Sequence, residues 1–269
     1  MTYRQPAFMV NNYGSGSISD ITQIVGFNVG TLSNANKRAF FDGRISSIGV
    51  YTSTGTSAGI RWDAGVIPSP AANRLVIPRT HFGFIGENLS VYHDNASNYP
   101  SPTVVSQSTI SLEKTIDLTL SSGNERYWIV QQNSTLTVGH STLARGFWLG
   151  TYLQLSGSAH VDPAFELGWK SQLVDTDYPG GVAVAQISPP RRTFSLRVRN
   201  IDPSSSDYSV LDGVMQSREK PFWYWPPDDT DPGPFYVRHS NQPKRVQDFG
   251  APTQALRYTF DFDLIEDNL

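Results

Sequence analysis

Asp261 and Asp263 are the residues best spaced to imitate the paired carboxylates of a glycosidase, one as acid and one as base or nucleophile. They lie on one face of an alternating run, with Arg257 and Thr259 beside them and Leu256, Tyr258, Phe260, Phe262 and Leu264 on the other face. Nothing around them supplies a cleft or an apolar site that would raise an acid's pKa, so glycoside hydrolysis is an alternative and not the expectation. Gly55-Thr56-Ser57-Ala58-Gly59 has the spacing of a hydrolase nucleophile elbow, which needs a strand before the serine and a helix after it. Here a polar loop precedes, and Ile60-Arg61-Trp62-Asp63 alternates like a strand, so the context refuses the motif. The five histidines, at 81, 93, 140, 160 and 239, include no i, i+4 pair of the kind that ligates zinc. Asp228, Asp229 and Asp231 crowd a Pro-bounded turn but lack the glycine and terminal glutamate of a calcium loop. The expectation is a protein with no catalytic residue, no metal site and no cofactor.

Two other groups of residues point to binding. Phe222-Trp223-Tyr224-Trp225, closed by Pro226-Pro227, is the densest aromatic run. A strand sends alternate rings to opposite faces, so one pair belongs to the core and the other covers either a partner subunit or the same domain. These four are therefore the candidate subunit-interface residues. Asn95 to Ser108 is nearly all loop chemistry with stops at Pro100 and Pro102, and it is expected at one end of a sandwich. Asn95, Asn98 and Tyr99 are its candidate ligand-facing residues. Arg191, Arg192, Arg197 and Arg199 are the nearest thing to a basic cluster, but they alternate with Phe194, Leu196 and Val198 as the wet face of a strand. With a net charge of −3, no nucleic-acid partner is expected.

The elements that must position these residues are strands. The chain has 269 residues, 22 glycines and 18 prolines spread evenly, and short runs of β-branched and aromatic residues between them, a pattern of sandwiches and barrels. Strands are expected at 26–29, 47–52, 59–63, 74–78, 89–93, 115–119, 126–132 and 144–154, with the strongest at 256–264. Texture changes after Leu155, at Ser156-Gly157-Ser158, which puts a domain boundary there and divides the chain into 1–155 and 156–269. Val210, Leu211, Val214 and Met215 share one face behind a Ser/Asp capping segment, predicting one short helix over 207–217. The chain has no cysteine, no basic leader running into an apolar core, and no run of about 18 apolar residues. Cytosolic synthesis without membrane insertion is expected.

Asn36-Lys37-Arg38-Ala39-Phe40-Phe41-Asp42-Gly43-Arg44, followed by Ile60-Arg61-Trp62-Asp63-Ala64-Gly65, resembles a discoidin, or galactose-binding-like, jelly roll, in which an Asp-Gly turn opens the sandwich and a later strand ends in Asp-x-Gly. Ala71 to Pro78, Asn88 to Tyr92 and Arg145-Gly146-Phe147-Trp148-Leu149-Gly150 are similar to bacteriophage tail proteins carrying such a domain. Gly180-Gly181, Arg191-Arg192, the helix, Lys220 to Pro226 and the last strand ending in Ile265-Glu266 follow in the order of those proteins. The resemblance implies an all-β protein of two sandwich-like domains, an N-terminal galactose-binding-like jelly roll and a C-terminal tail-assembly β domain with one short helix. It implies a non-enzymatic structural component of the virion, a tail-tip, distal-tail or minor tail protein joining the tail tube to tip or fibre proteins. Its partners would be other tail proteins and further copies of itself in a ring or symmetric assembly. Discoidin-like domains also bind sugars or calcium; a host surface glycan is the alternative ligand, and Asp42 the residue such a calcium would use.

Overall fold

A computed structural model of the chain describes residues 5–13, 21–25, 28–29, 32–41, 49–52, 57–68, 70–78, 88–97, 103–109, 115–121, 124–133, 141–144, 146–162, 166–170, 173–178, 181–186, 191–217, 220–227, 233–248 and 256–267. In chain order the elements begin with β1 (Ala7–Met9), β2 (Ile21–Val25), β3 (Asn28–Val29), helix α1 (Asn34–Phe41), β4 (Gly49–Thr52), β5 (Ser57–Asp63) and β6 (Arg74–Ile77). There follow β7 (Asn88–Asp94), β8 (Thr103–Thr109), β9 (Ile116–Thr119), β10 (Tyr127–Asn133), β11 (Ser141–Ala144), β12 (Trp148–Gly150), β13 (Leu153–Gln154) and β14 (His160–Val161). The chain ends with β15 (Glu166–Lys170), β16 (Leu173–Tyr178), β17 (Gly181–Gln186), β18 (Arg191–Ile201), helix α2 (Ser206–Gln216), β19 (Phe222–Trp225), β20 (Phe235–His239), β21 (Lys244–Asp248) and β22 (Arg257–Glu266). The protein is all-β, and it divides into two compact units: residues 11–152, and residues 1–10 with 153–268.

In the unit of residues 11–152 a six-stranded sheet of order β3-β2-β5-β10-β7-β8 lies opposite a three-stranded sheet, β12-β6-β9, while β11 and β4 form a pair. Trp62, Leu89, Val91, Trp128 and Val130 from the first sheet share one apolar cluster with Leu75, Ile77, Ile116, Leu118 and Leu149 from the second, which makes this unit a sandwich. Alternation does the sorting: each strand turns every second residue inward. Three features depart from the expectations. Residues 34–41 form α1, whose start is held by Ser33, its carbonyl accepting from the Lys37 amide at 3.0 Å and its hydroxyl from the Asn36 amide at 3.3 Å. Its polar first turns carry no apolar period; tertiary packing recruits it, with Phe40 stacked on Phe147 at 5.2 Å and Phe147 parallel to Trp62 at 6.1 Å. The segment expected as loop through Ser108 becomes strand β8 from Thr103, paired to β7 with a bulge. The single strand expected over 144–154 is interrupted after β11, because Gly146 turns at φ +113° and lets Phe147 donate to the Phe40 carbonyl at 2.9 Å.

The other unit is built on a nine-stranded antiparallel sheet, β13-β1-β19-β20-β22-β18-β14, with β15 also on β18 and β21 also on β22. The first ten residues, assigned from the sequence to the N-terminal domain, belong here, since β1 pairs with both β13 and β19. Helix α2 starts at Ser205, whose hydroxyl accepts from the Tyr208 amide, and lays Val210, Leu211 and Val214 onto Phe194, Leu196, Phe260 and Phe262. Asp207, buried in its first turn, accepts from the amide and hydroxyl of Ser156 at 2.8 and 2.5 Å, which ties the helix to the chain segment after β13. The bulge between Val198 and Ile201 is made by Asn200 at φ +60°, one of the few side chains that tolerates this conformation.

Candidate functional site

Three neighbouring strands of the sandwich end together. Tyr127, which opens β10, stands in register with Asp63 at the end of β5 and with Asp94 at the end of β7. Arg126, just before β10, reaches across the rim and donates from Nε and an Nη to the two carboxylate oxygens of Asp63, both at 2.6 Å. The Asp63 carboxylate also accepts from the Gly65 amide at 2.7 Å, while the Ala64 amide donates to the Arg126 carbonyl at 3.0 Å. Gly65 sits at φ +76°, the conformation that lets the turn fold back on the aspartate. The Arg126 guanidinium beside Asp63 holds its carboxyl below the usual carboxylate range, outweighing the opposite effect of burial. The arginine remains half in water, with its guanidinium carbon 5.4 Å from the centre of the half-buried Tyr127 ring.

Behind this rim lie His93 and Trp128, their rings 5.5 Å apart. The Trp128 indole donates to the Glu125 carbonyl at 2.9 Å, which fixes the turn that presents Arg126. Burial pushes the His93 imidazole down, against the pull of the Glu125 and Asp94 carboxylates, and its buried Nδ1 has no hydrogen-bond partner among the described residues. Asp94 accepts from the Ala96 amide at 3.0 Å and closes the turn after β7, leaving Asn95 exposed at its tip. Val66 and Ile67 extend the rim as exposed apolar side chains, 58% and 63% accessible. The rim thus combines a fixed, ionised acceptor, a planar donor, an aromatic ring and an exposed amide. It offers hydrogen bonds and ring contact; with Asp63 held ionised, it offers no proton to a leaving group.

The residues singled out from the sequence fare differently. Asn95 stands on this rim; Asn98 and Tyr99 lie outside the described residues, as do Asp42, His81, His140, Asp228, Asp229 and Asp231. Phe222, Trp223, Tyr224 and Trp225 are all buried within the chain, at 1%, 2%, 0% and 0% accessibility. Phe222 and Tyr224 join the core under α2, with Phe8 stacked on Tyr224 at 5.4 Å, and Trp223 meets Tyr236 at 5.0 Å on the opposite face. Both faces of this strand are covered by its own chain, so the aromatic run offers no surface to another subunit. Ser57 opens β5, so a strand and not a helix follows it.

Asp261 accepts from Nε and an Nη of Arg197 at 2.5 and 3.0 Å, and Asp263 from the Ser195 hydroxyl and the Asn241 amide, both at 3.0 Å. With these partners the two carboxylates belong to a cross-strand lattice on the open face of β18 and β22, where Arg199 also meets Asp162 at 2.8 Å. Among the described residues no three histidine, aspartate or glutamate side chains converge as a metal site would require, and no helix is long and apolar enough to cross a membrane. Asp63, Arg126 and Tyr127 were missed as a site because 63 residues separate the charged pair; the only trace in the sequence is the Asp-x-Gly ending of β5.

No family model and no curated protein matches the chain. Several solved structures are similar to about half of it, and they are carbohydrate-binding modules. A chitosan-binding module of a chitosanase/glucanase from Paenibacillus sp. IK-5 has 17% identity over 52% of this chain and 99% of its own, with a TM-score of 0.40. A CBM32 module of a family 31 glycoside hydrolase from Clostridium perfringens has 14% identity over 49% of this chain and 94% of its own, with a TM-score of 0.36. A Streptococcus pneumoniae fucose-binding module has 14% identity over 52% of this chain and 98% of its own, with a TM-score of 0.37.

Proposed function

We propose that this chain is a non-enzymatic binding protein whose 11–152 sandwich takes a carbohydrate at the rim formed by Asp63, Asn95, Arg126 and Tyr127. The observation that carries the reading is the bidentate Asp63–Arg126 pair fixed beside a half-buried tyrosine ring. Adjacent hydroxyls of a sugar need an acceptor and a donor held side by side, and the C–H face of a pyranose packs on an aromatic ring. The test is a glycan array probed with the full chain, followed by calorimetry on any hit. Tyr127→Ala and Arg126→Met should each weaken the best ligand at least tenfold, taking about 1.4 kcal/mol per decade. An array without signal removes the reading.

A second reading makes the same chain a structural component of a bacteriophage tail, a tail-tip, distal-tail or minor tail protein held in the virion by other tail proteins and by copies of itself. What supports it is the order in which the tail-like segments run along the sequence, now on β6, β7, β12, β18, α2, β19 and β22. Mass spectrometry of purified particles should then find the chain in fixed stoichiometry with the tail; its absence from particles disposes of this reading and leaves the first intact.

A further inference from the structure

Strand β21 differs from the other long strands of its sheet. All five of its residues are exposed, Val246 at 50%, whereas β18, β20 and β22 each bury a set of apolar residues. Among the described residues it pairs with β22 alone, from Lys244 opposite Asp261 to Asp248 opposite Arg257. Among the described residues its outer edge therefore presents a row of backbone N–H and C=O groups without a strand partner. Charged residues usually protect such an edge, because a strand added there would bring like charges together or bury them unpaired.

Here the charges are arranged differently. The strand reads Lys244-Arg245-Val246-Gln247-Asp248. Laid antiparallel against a second copy about Val246, it places Lys244 opposite Asp248 and Asp248 opposite Lys244, with valine on valine at the axis and Arg245 facing Gln247. Lys244 has no ion-pair partner among the described residues of its own chain, and Asp248 uses one oxygen to accept from the Thr259 hydroxyl at 2.8 Å, leaving the other for a cation. Of the two registers one residue away, one pairs Lys244 with Gln247 and Arg245 with Val246 and makes no ion pair, and the other would ask Arg245 to meet Asp248, but Arg245 is already held by the Tyr208 hydroxyl at 2.6 Å and Asp212 at 2.9 Å. Moving by two residues sets arginine against arginine in one direction, and in the other glutamine against glutamine with Val246 facing Asp248, so neither shift forms an ion pair. One register is thus favoured on both sides of the axis, and two-fold symmetry counts its ion pairs twice.

We propose that β21 joins two copies of this chain edge to edge into a two-fold dimer whose sheet runs continuously across the axis. The inference does not depend on what the sandwich binds. A contact of five residues is small, so the dimer forms in about the micromolar to submillimolar range.

Sedimentation of the full chain tests it. The weight-average mass should rise with concentration from 29.8 kDa toward twice that value. Lys244→Asp and Asp248→Lys each set like charges face to face and should weaken self-association at least about tenfold, close to 1.4 kcal/mol. Their mixture should associate again, since the acidic edge of one meets the basic edge of the other, and so should the double swap Lys244→Asp/Asp248→Lys. The substituted side chains are all exposed, and unchanged thermal melts will show that each variant folds. A wild-type mass that stays at 29.8 kDa up to about 300 μM, or a mixture that associates no better than its components, overturns the proposal.

Discussion

Both units contain an arginine clamped by an aspartate across adjacent strands, Arg126 on Asp63 in the sandwich and Arg197 on Asp261 in the large sheet. The chemistry is the same and the placement is opposite. Asp63 lies where strands end, with only 14% of its side chain accessible, beside a glycine turn and a tyrosine ring. Asp261 lies on the open face of β18 and β22, beside a second arginine–aspartate pair, Arg199 with Asp162, and beside Asp263, which accepts from Ser195 and Asn241. Where the backbone turns away, the charged pair leaves donor, acceptor and ring converging on one point. On an open sheet face it solvates the strands and fixes their register.

The comparison can be broken most forcefully through the cores that hold each pair. Tyr224→Ala should remove about 3–5 kcal/mol, the range for deleting a buried aromatic side chain, and strip amide protection from β18 and β22 in hydrogen exchange. An unchanged melt would restore the aromatic run as a surface. In the sandwich, Gly59 lies so close to β10 that an added Cβ would come within 2.3 Å of the Val130 carbonyl oxygen. Gly59→Ala should therefore cost about 1–3 kcal/mol and expose the β5 and β10 amides.

The two pairs themselves come next. Asp63→Asn should lower stability by about 1 kcal/mol, a modest cost because Arg126 is half in water, and should abolish binding of any glycan found on the array. Asp261→Asn should move the midpoint by no more than about 2 °C and leave that binding unchanged. Equal effects of both changes on binding would erase the distinction between rim and lattice.

Acid separates the units more finely. His93 has a folded pKa below its unfolded value of about 6.5, so the unfolded chain binds the proton first and stability falls as pH drops below that value. His93→Asn should remove this first decline. Asp202, held at about 2 by hydrogen bonds from the Ser204 hydroxyl and amide and from Arg257, and Asp63, held down by Arg126, act lower. Their contribution is complete above the unfolded aspartate pKa of about 3.9 and disappears as pH falls toward the folded values. A melt series in which all loss occurs below about pH 4 would contradict the His93 assignment.

Period-two alternation determined β5 and the last strand β22, because each turns one face to a core and the other toward water; β7 and β10 were legible as short runs between turn residues, although both of their faces are largely buried. Helix α2 was equally legible, within one residue at each end, since Ser205 caps it and its apolar residues fall at helical spacing. Those signals are local. What the sequence left open required contacts between residues far apart in the chain. Helix α1 exists because Phe40 finds Phe147, and β1 lies with β19 because Phe8 finds Tyr224. Phe222 to Trp225 read as a strand with one side to spare, and only the packed chain covered both sides. The rim was invisible for the same reason: Asp63 and Arg126 are ordinary strand-end residues until register across β5 and β10 brings their charges together.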